Sequence, residues 1–199
     1  MSAPQTPPPS PATDDDVRPG REPAALRAEL LPAVLVAVAV TVAGVLLGLL
    51  WVWLAPRVPL ISDGKAVYLR NTEGEQAIGA DGVFALLSLG FGALSAAVVF
   101  WWRRTGGIPL VAGLAVGSVL ASLLAWRLGM WLGPTSDVAA HARAVGKGVV
   151  FDAPLRLGAK GMLLAWPVAA MAVHLLLTAL WGPRDPEELL ADPMTDPAA

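Results

Sequence analysis

The chain has 199 residues, 55% hydrophobic and 15% charged, with a mean hydropathy of +0.60; a water-soluble domain carries about 25% charged residues, so this is the composition of a membrane protein. Cysteine is absent, which excludes disulfide frameworks, zinc–cysteine sites, iron–sulfur clusters and thiol nucleophiles, and two histidines are too few for a histidine-rich metal centre. Fourteen basic against sixteen acidic residues leave a net charge of -2, without the basic excess of a nucleic-acid-binding surface.

Residues 1–22 hold Pro4, Pro7, Pro8, Pro9, Pro11 and Pro19 among small polar residues and the run Asp14-Asp15-Asp16. Such a segment cannot bury enough apolar surface to order itself, and it reads as a disordered cytoplasmic tail. The first apolar run, Ala33–Leu54, follows a long polar leader and precedes Pro56, which suits a retained anchor rather than a cleaved signal peptide. Further apolar runs lie at Val83–Trp102, Ile108–Leu132 and Met162–Trp181. Each reaches about 30 Å or more at about 1.5 Å per residue, so residues 23–182 are expected to form a four-span membrane domain. Residues 183–199, with four prolines, five acids and one arginine, read as a second disordered cytoplasmic tail.

Between the spans lie two long loops, 55–82 and 133–161, and one connection of five residues, Arg103-Arg104-Thr105-Gly106-Gly107. In the first loop, Lys65-Ala66-Val67-Tyr68-Leu69 and Gln76-Ala77-Ile78 flank the turn-prone Asn71-Thr72-Glu73-Gly74. In the second, Val149-Val150-Phe151 is followed through Asp152-Ala153-Pro154 by Leu155-Arg156-Leu157. Both patterns predict β-hairpins. Because an isolated hairpin is marginal in water, the two are expected to join in one small extracytoplasmic β-cap.

The halves of the chain echo one another. Trp53-Leu54-Ala55-Pro56 recurs as Trp131-Leu132-Gly133-Pro134, Gly64-Lys65-Ala66-Val67 as Gly146-Lys147-Gly148-Val149, and Gly79-Ala80-Asp81-Gly82 as Gly158-Ala159-Lys160-Gly161, at offsets of 78, 82 and 79. Two parallel helix-loop-helix repeats follow, with any twofold axis along the membrane normal. The expected fold class is therefore an all-α transmembrane four-helix bundle with a β-hairpin cap.

Small residues four apart, at Gly44 and Gly48, Gly113 and Gly117, Gly129 and Gly133, and Ser88, Gly92 and Ala96, fall on single helical faces. They serve either packing within the bundle or homo-oligomerisation. All eight tryptophans lie toward span ends, as in the aromatic belts of a bilayer boundary. Basic residues number six in the inner segments (Arg18, Arg21, Arg27, Arg103, Arg104 and Arg184) against seven in the long loops, so orientation rests on Arg103-Arg104, the densest cluster, which touches two spans. That places both termini in the cytoplasm of a multi-pass plasma-membrane protein.

Two ionisable residues fall inside the spans. Arg127 lies toward the outer boundary, where its guanidinium can snorkel to outer-loop acids such as Asp63 or Asp137, or serve transport. His174 lies within roughly 4 Å of the middle of the fourth span, and Thr41, Ser95 and Ser118 fall at the same depth. Ser95 and His174 are 79 residues apart, hence equivalent in the two halves. This candidate polar layer is either a packing lock or a proton or ion pathway. No catalytic motif, metal-ligand spacing or cofactor fingerprint occurs, and no catalytic, cofactor-binding or metal residue is assigned.

The stretches Trp-Leu-Ala-Pro-Arg-Val-Pro-Leu-Ile-Ser-Asp-Gly-Lys (53–65), Glu-Gly-Glu-Gln-Ala-Ile-Gly-Ala-Asp-Gly (73–82) and Leu-Leu-Ala-Trp-Pro (163–167) carry a resemblance covering roughly residues 28–184. With the proline-rich leader and four spans, the chain resembles an actinobacterial family of integral membrane proteins catalogued as a domain of unknown function, some members of which bear permease labels. The resemblance implies the four-span architecture and brings no catalytic residue. The expected function is non-enzymatic: interaction with, or sensing of, an envelope component or partner protein through the paired outer loops, in contact with the lipid bilayer. The alternative is a small transporter or permease subunit using the layer around His174.

Overall fold

The computed structural model describes residues 21–103 and 107–182, so residues 1–20 and 183–199 of the expected tails and the middle of the short connection lie outside the described residues, while Arg21 and Glu22, expected in the first tail, open a helix instead. The elements in chain order are α1 (Arg21–Leu54), β1 (Pro59–Ser62), β2 (Val67–Leu69), α2 (Gln76–Trp102), α3 (Ile108–Leu132), α4 (Val138–Val145), β3 (Val150–Asp152), a 3-10 turn (Lys160–Leu164) and α5 (Ala165–Trp181).

Among the described residues four helices are long and apolar enough to cross a membrane: Ala28–Leu54, Gln76–Trp102, Ile108–Leu132 and the continuous Lys160–Trp181. In hydrocarbon every backbone N–H and C=O must be satisfied within the segment, so uncharged runs of Ala, Leu, Val and Gly become helices there. Many large apolar side chains point outward, among them Leu35, Val38, Val42, Leu86, Leu94, Leu175 and Leu176, while the interior combines small residues with a few large ones such as Leu47, Phe84 and Leu114. That distribution is stable against lipid and not against water, and it assigns a membrane location to the chain.

Side by side, the long helices form a ring in which α1 packs most extensively on α3 and α2 on α5, with lesser contacts of α3 with α5 and α1 with α2. The two main pairs depend on glycine. Gly44 and Gly48 of α1 lie against the backbone of Ala121 and Ala125, and Gly113 and Gly117 of α3 lie against Ala33 and Ala37. Because residue numbers rise together along this contact, α1 and α3 run parallel. Gly92 of α2 is similarly pressed on Trp166 and Ala170 of α5. The small-residue faces are therefore used within the bundle. A twofold axis along the membrane normal, which the sequence led us to expect, would carry α2 and α5 to opposite sides of the α1–α3 pair. Their close packing on one side corrects that expectation: the helix pairs α1–α2 and α3–α5 differ by a sideways step.

At the end of the bundle where α1 and α3 terminate, the strands form one antiparallel sheet in the order β2-β1-β3, with Leu60 opposite both Leu69 and Phe151. Leu60 and Phe151, with Ala142 of α4, form a small buried cluster. The two separate hairpins expected from sequence are not what forms. In the first loop the turn falls one segment earlier, at Asp63–Ala66, because Asp63 Oδ1 accepts the Lys65 and Ala66 N–H groups at 2.8 Å each and Gly64 supplies φ +91°. Gln76–Ile78 belongs to α2 instead of a strand. In the second loop β3 pairs across to β1, Leu155–Leu157 forms no strand, and Asp137 caps α4, a helix unforeseen in the sequence, by accepting from Ala140 N at 2.9 Å.

The helix limits also move. Helix α2 begins seven residues before Val83 and takes in Gly79–Gly82, expected in the loop, where tertiary contacts hold it: Asp81 accepts from Gly158 N at 2.9 Å and Ala159 N at 2.7 Å, and Ala80 O accepts the Trp51 indole N–H at 2.8 Å. Trp51 and Trp166 are fully buried, correcting their assignment to the aromatic belts, whereas Trp53, Trp101, Trp102, Trp131 and Trp181 are exposed at helix ends.

Candidate functional site

The hydroxyls of the expected polar layer are held chiefly by their own helices. Thr41 donates to Ala37 O at 2.7 Å and approaches Gly117 O of α3 at 3.5 Å. Ser118, fully buried, donates to Leu114 O at 2.6 Å. Ser95 donates to Phe91 O and also lies 3.2 Å from Gly92 O, while accepting the Trp166 indole N–H at 3.1 Å. A hydroxyl one turn below a carbonyl within a helix takes this partner readily, because no other acceptor is available in an apolar core.

His174 sits on the α5 face turned to α2, 7% exposed, with its ring edge-on to Phe100 at a centroid distance of 6.2 Å. Its Nδ1 is buried without a hydrogen-bond partner. Thr178 donates to the His174 carbonyl at 2.8 Å, which secures the backbone of that turn and leaves the imidazole untouched. Thus α2–α5 contacts gather Ser95, Trp166 and His174 into one stretch of interface, and α1–α3 contacts bring Thr41 to the backbone of Gly117. Among the described residues no hydrogen bond joins His174 to Ser95, Ser118 or Thr41.

Arg127 stands apart from this layer. It is exposed on the outside of α3, with its guanidinium carbon 5.0 Å from the centre of the Trp126 ring, and Lys160 Nζ lies 5.8 Å from the same ring. It forms no ion pair with Asp63 or Asp137. Those acids instead organise their own loops: Asp63 closes the β1–β2 turn, and the N–H donors of Ala66 and Lys65 hold its carboxyl below the usual carboxylate range.

Two fully buried serines escaped the sequence reading as polar groups, Ser88 of α2 and Ser122 of α3, each with a hydroxyl oxygen that has no partner. Ser88 was visible there as a small packing residue, and the i, i+4 relation of Ser118 and Ser122 was the available signal for the other. A cavity of about 500 Å³ lies between α1 and α2, lined by apolar side chains such as Val40, Leu46, Phe91 and Val99 with Ser95 and Trp166 among them; His174 does not line it. Among the described residues no three His, Asp or Glu side chains converge as a metal site.

Chemically, this interior offers carbonyl-bound hydroxyls, an indole–hydroxyl bridge between helices, and one imidazole packed against an aromatic ring. Of those groups, the Ser95–Trp166 bridge ties α2 to α5. Comparison with known proteins adds no relative: no protein-family model, curated protein or solved structure matches the chain.

Proposed function

We propose that this chain is a non-enzymatic plasma-membrane protein, a member of the actinobacterial family it resembles, that binds or senses an envelope component or partner protein through a cap made by its two long loops. The observation that carries this reading is the central position of β1, paired on one edge with β2 of its own loop and on the other with β3 of the second loop. Two loops that share a sheet and a buried Leu60–Phe151 contact present one surface. Tyr68 and Val150, both register partners of Ile61, are exposed on one face of it, more apolar area than a solvated linker requires.

The same reading takes the two halves as duplicates. Gly64 and Gly146, matched by sequence, both have φ near +90° (+91° and +89°), and the motif at Gly79–Gly82 is hydrogen-bonded to its counterpart at Gly158–Gly161 through Asp81. With Arg103-Arg104 at the cytoplasmic side, the cap faces outward. Affinity purification from mild detergent tests the proposal. A partner retained by the native chain and lost from a Tyr68→Ser, Val150→Ser variant of unchanged thermal stability supports it; no partner, or one indifferent to these changes, counts against it.

A second reading, a small transporter or permease subunit, draws on the unpartnered, buried Nδ1 of His174. Proton flux in proteoliposomes that His174→Leu abolishes without loss of folding would favour it over the first.

A further inference from the structure

Where the sheet meets the helix ends, a cleft of about 180 Å³ is lined by Pro56, Arg57 and Val58, by Ala77 and Ala80 of α2, and by Ala153, Pro154, Leu155 and Arg156. Its charged residues are two arginines, one from each loop, and no carboxylate lines it. Arg57 is half-buried and anchored by donation from Nη2 to Val52 O at 2.7 Å, which fixes the guanidinium at the end of α1 beside the cleft that it lines. Arg156 is exposed and forms no ion pair among the described residues. Two like charges facing one small space repel unless an anion lies between them.

The surroundings favour a particular anion. Ala77 and Ala80 belong to the first turns of α2, whose positive end adds to the field of the arginines and is partly offset by the Glu75 side chain at the N-cap. Pro56 follows α1 by two residues and Ala77 lies in the second residue of α2, which sets the cleft at the level where hydrocarbon gives way to headgroups. Phosphate groups are concentrated in that layer, and guanidinium forks match them in shape. The volume lies below the roughly 300–1,000 Å³ of sites for drug-sized molecules, and it suits a phosphate with the first atoms of its ester arm.

We propose that this cleft binds the phosphate of a net-anionic headgroup, with Arg57 and Arg156 as its ligands. The site needs both loops to be in place and does not depend on the cap binding a partner protein. Arg127 and Lys160, two cations at the same end of the bundle but outside the cleft, provide the internal control for general electrostatic attraction.

The test is native mass spectrometry of the detergent-purified full chain titrated with phosphatidylglycerol or phosphatidylcholine, with parallel thermal-stability titrations using inorganic phosphate and glycerol phosphate. The native chain is expected to retain phosphatidylglycerol about tenfold better than phosphatidylcholine, the equivalent of one charge-assisted contact pair. Arg156→Gln, which removes an exposed side chain without internal bonds, should bring that preference to within about twofold, and Arg57→Gln with Arg156→Gln should abolish it. Arg127→Gln with Lys160→Gln should leave it intact. Stabilisation by the soluble phosphates that is likewise lost in Arg156→Gln identifies a free anion as the source and supports the site. Absence of any anion preference, equal loss in the Arg127–Lys160 control, or a preference unchanged in the double arginine variant overturns the proposal.

Discussion

Replacing Gly117 by alanine tests the central claim about how the bundle is held together. A Cβ there would lie 2.8 Å from both Cα and O of Ala37, against at least 3.4 Å for an ordinary contact, a deficit of about 0.6 Å that falls on main-chain atoms. A side chain could rotate away; a helix backbone cannot, so α1 and α3 must separate and loosen the neighbouring contacts at Gly44 and Gly113. Overpacking of this kind costs about 1–3 kcal/mol, and contact with backbone argues for the upper half; alanine recovers about 0.8–1.0 kcal/mol of helix propensity, leaving a net loss of about 1–2 kcal/mol. The matched comparison is Gly90→Ala on α2, where nothing lies within 4 Å of the new atom and the same propensity gain stands unopposed. Unfolding by SDS titration in mixed micelles, followed through the buried indoles of Trp51 and Trp166, measures both. The variants should move in opposite directions and differ by about 2–3 kcal/mol. Agreement within about 0.5 kcal/mol, or a change of oligomeric state with stability unaltered, would refute intramolecular packing of this glycine face.

Trp51→Phe can keep an aromatic contact with Phe84 but loses the indole bond to the Ala80 carbonyl and leaves a void at a fully buried site, with an expected loss of about 1–3 kcal/mol in the same titration, whereas exposed Trp131→Phe should stay within about 0.5 kcal/mol. Asp81→Ala removes the acceptor for Gly158 and Ala159, and should expose the second loop to limited proteolysis at lower protease concentration while the helical signal is kept; Asp81→Asn, still able to accept one bond, should fall between. Acid acts on the β1–β2 turn through Asp63. Its folded-state pKa is lowered, so its contribution is present at neutral pH and disappears as pH falls through that lowered value; amide protection at Lys65 and Ala66 should survive at about pH 4 and fail below it, and Asp63→Ala should lose it at neutral pH. His174→Leu removes a buried Nδ1 that has no partner together with the imidazole's hydrogen bond to the Ala96 backbone, so a net change within about 1 kcal/mol is expected; wholesale unfolding in micelles would mean that the imidazole locks the bundle.

The membrane helices were legible because lipid asks little of sequence: uncharged length suffices, and Ile108–Leu132 and the C-terminal ends of the other spans fall where composition places them. Gly44, Gly48, Gly113 and Gly117 also announced close approach, though not which helices would meet. What escaped was decided at long range. Gly79–Gly82 has the composition of a loop, yet it is helix because Asp81 and the Ala80 carbonyl find partners in other elements. Strand β3 looked for a partner a few residues on and found β1 on the other loop. Trp51 and Trp166 sit near span ends like belt tryptophans, but small residues opposite them leave room for indoles inside. Of the candidate polar layer, depth was readable from residue number; rotation about each helix axis was not, and rotation decides that Arg127 faces outward while His174 faces α2.

Strand β1 has a further consequence, for the order in which the molecule is made. It emerges between the first and second spans, but its edge toward β3 stays unfilled until residues 150–152 have been synthesised and the third span has been threaded. Until then only the two-stranded β1–β2 unit exists, which is marginal in water. The sheet therefore closes late, across a sequence separation that makes loop closure slow, and it closes only if both loops reach the same side of the bilayer. A chain inserted with its second half inverted would carry β3 to the wrong compartment and leave Leu60 without Phe151. The closed sheet is thus a record of correct topogenesis.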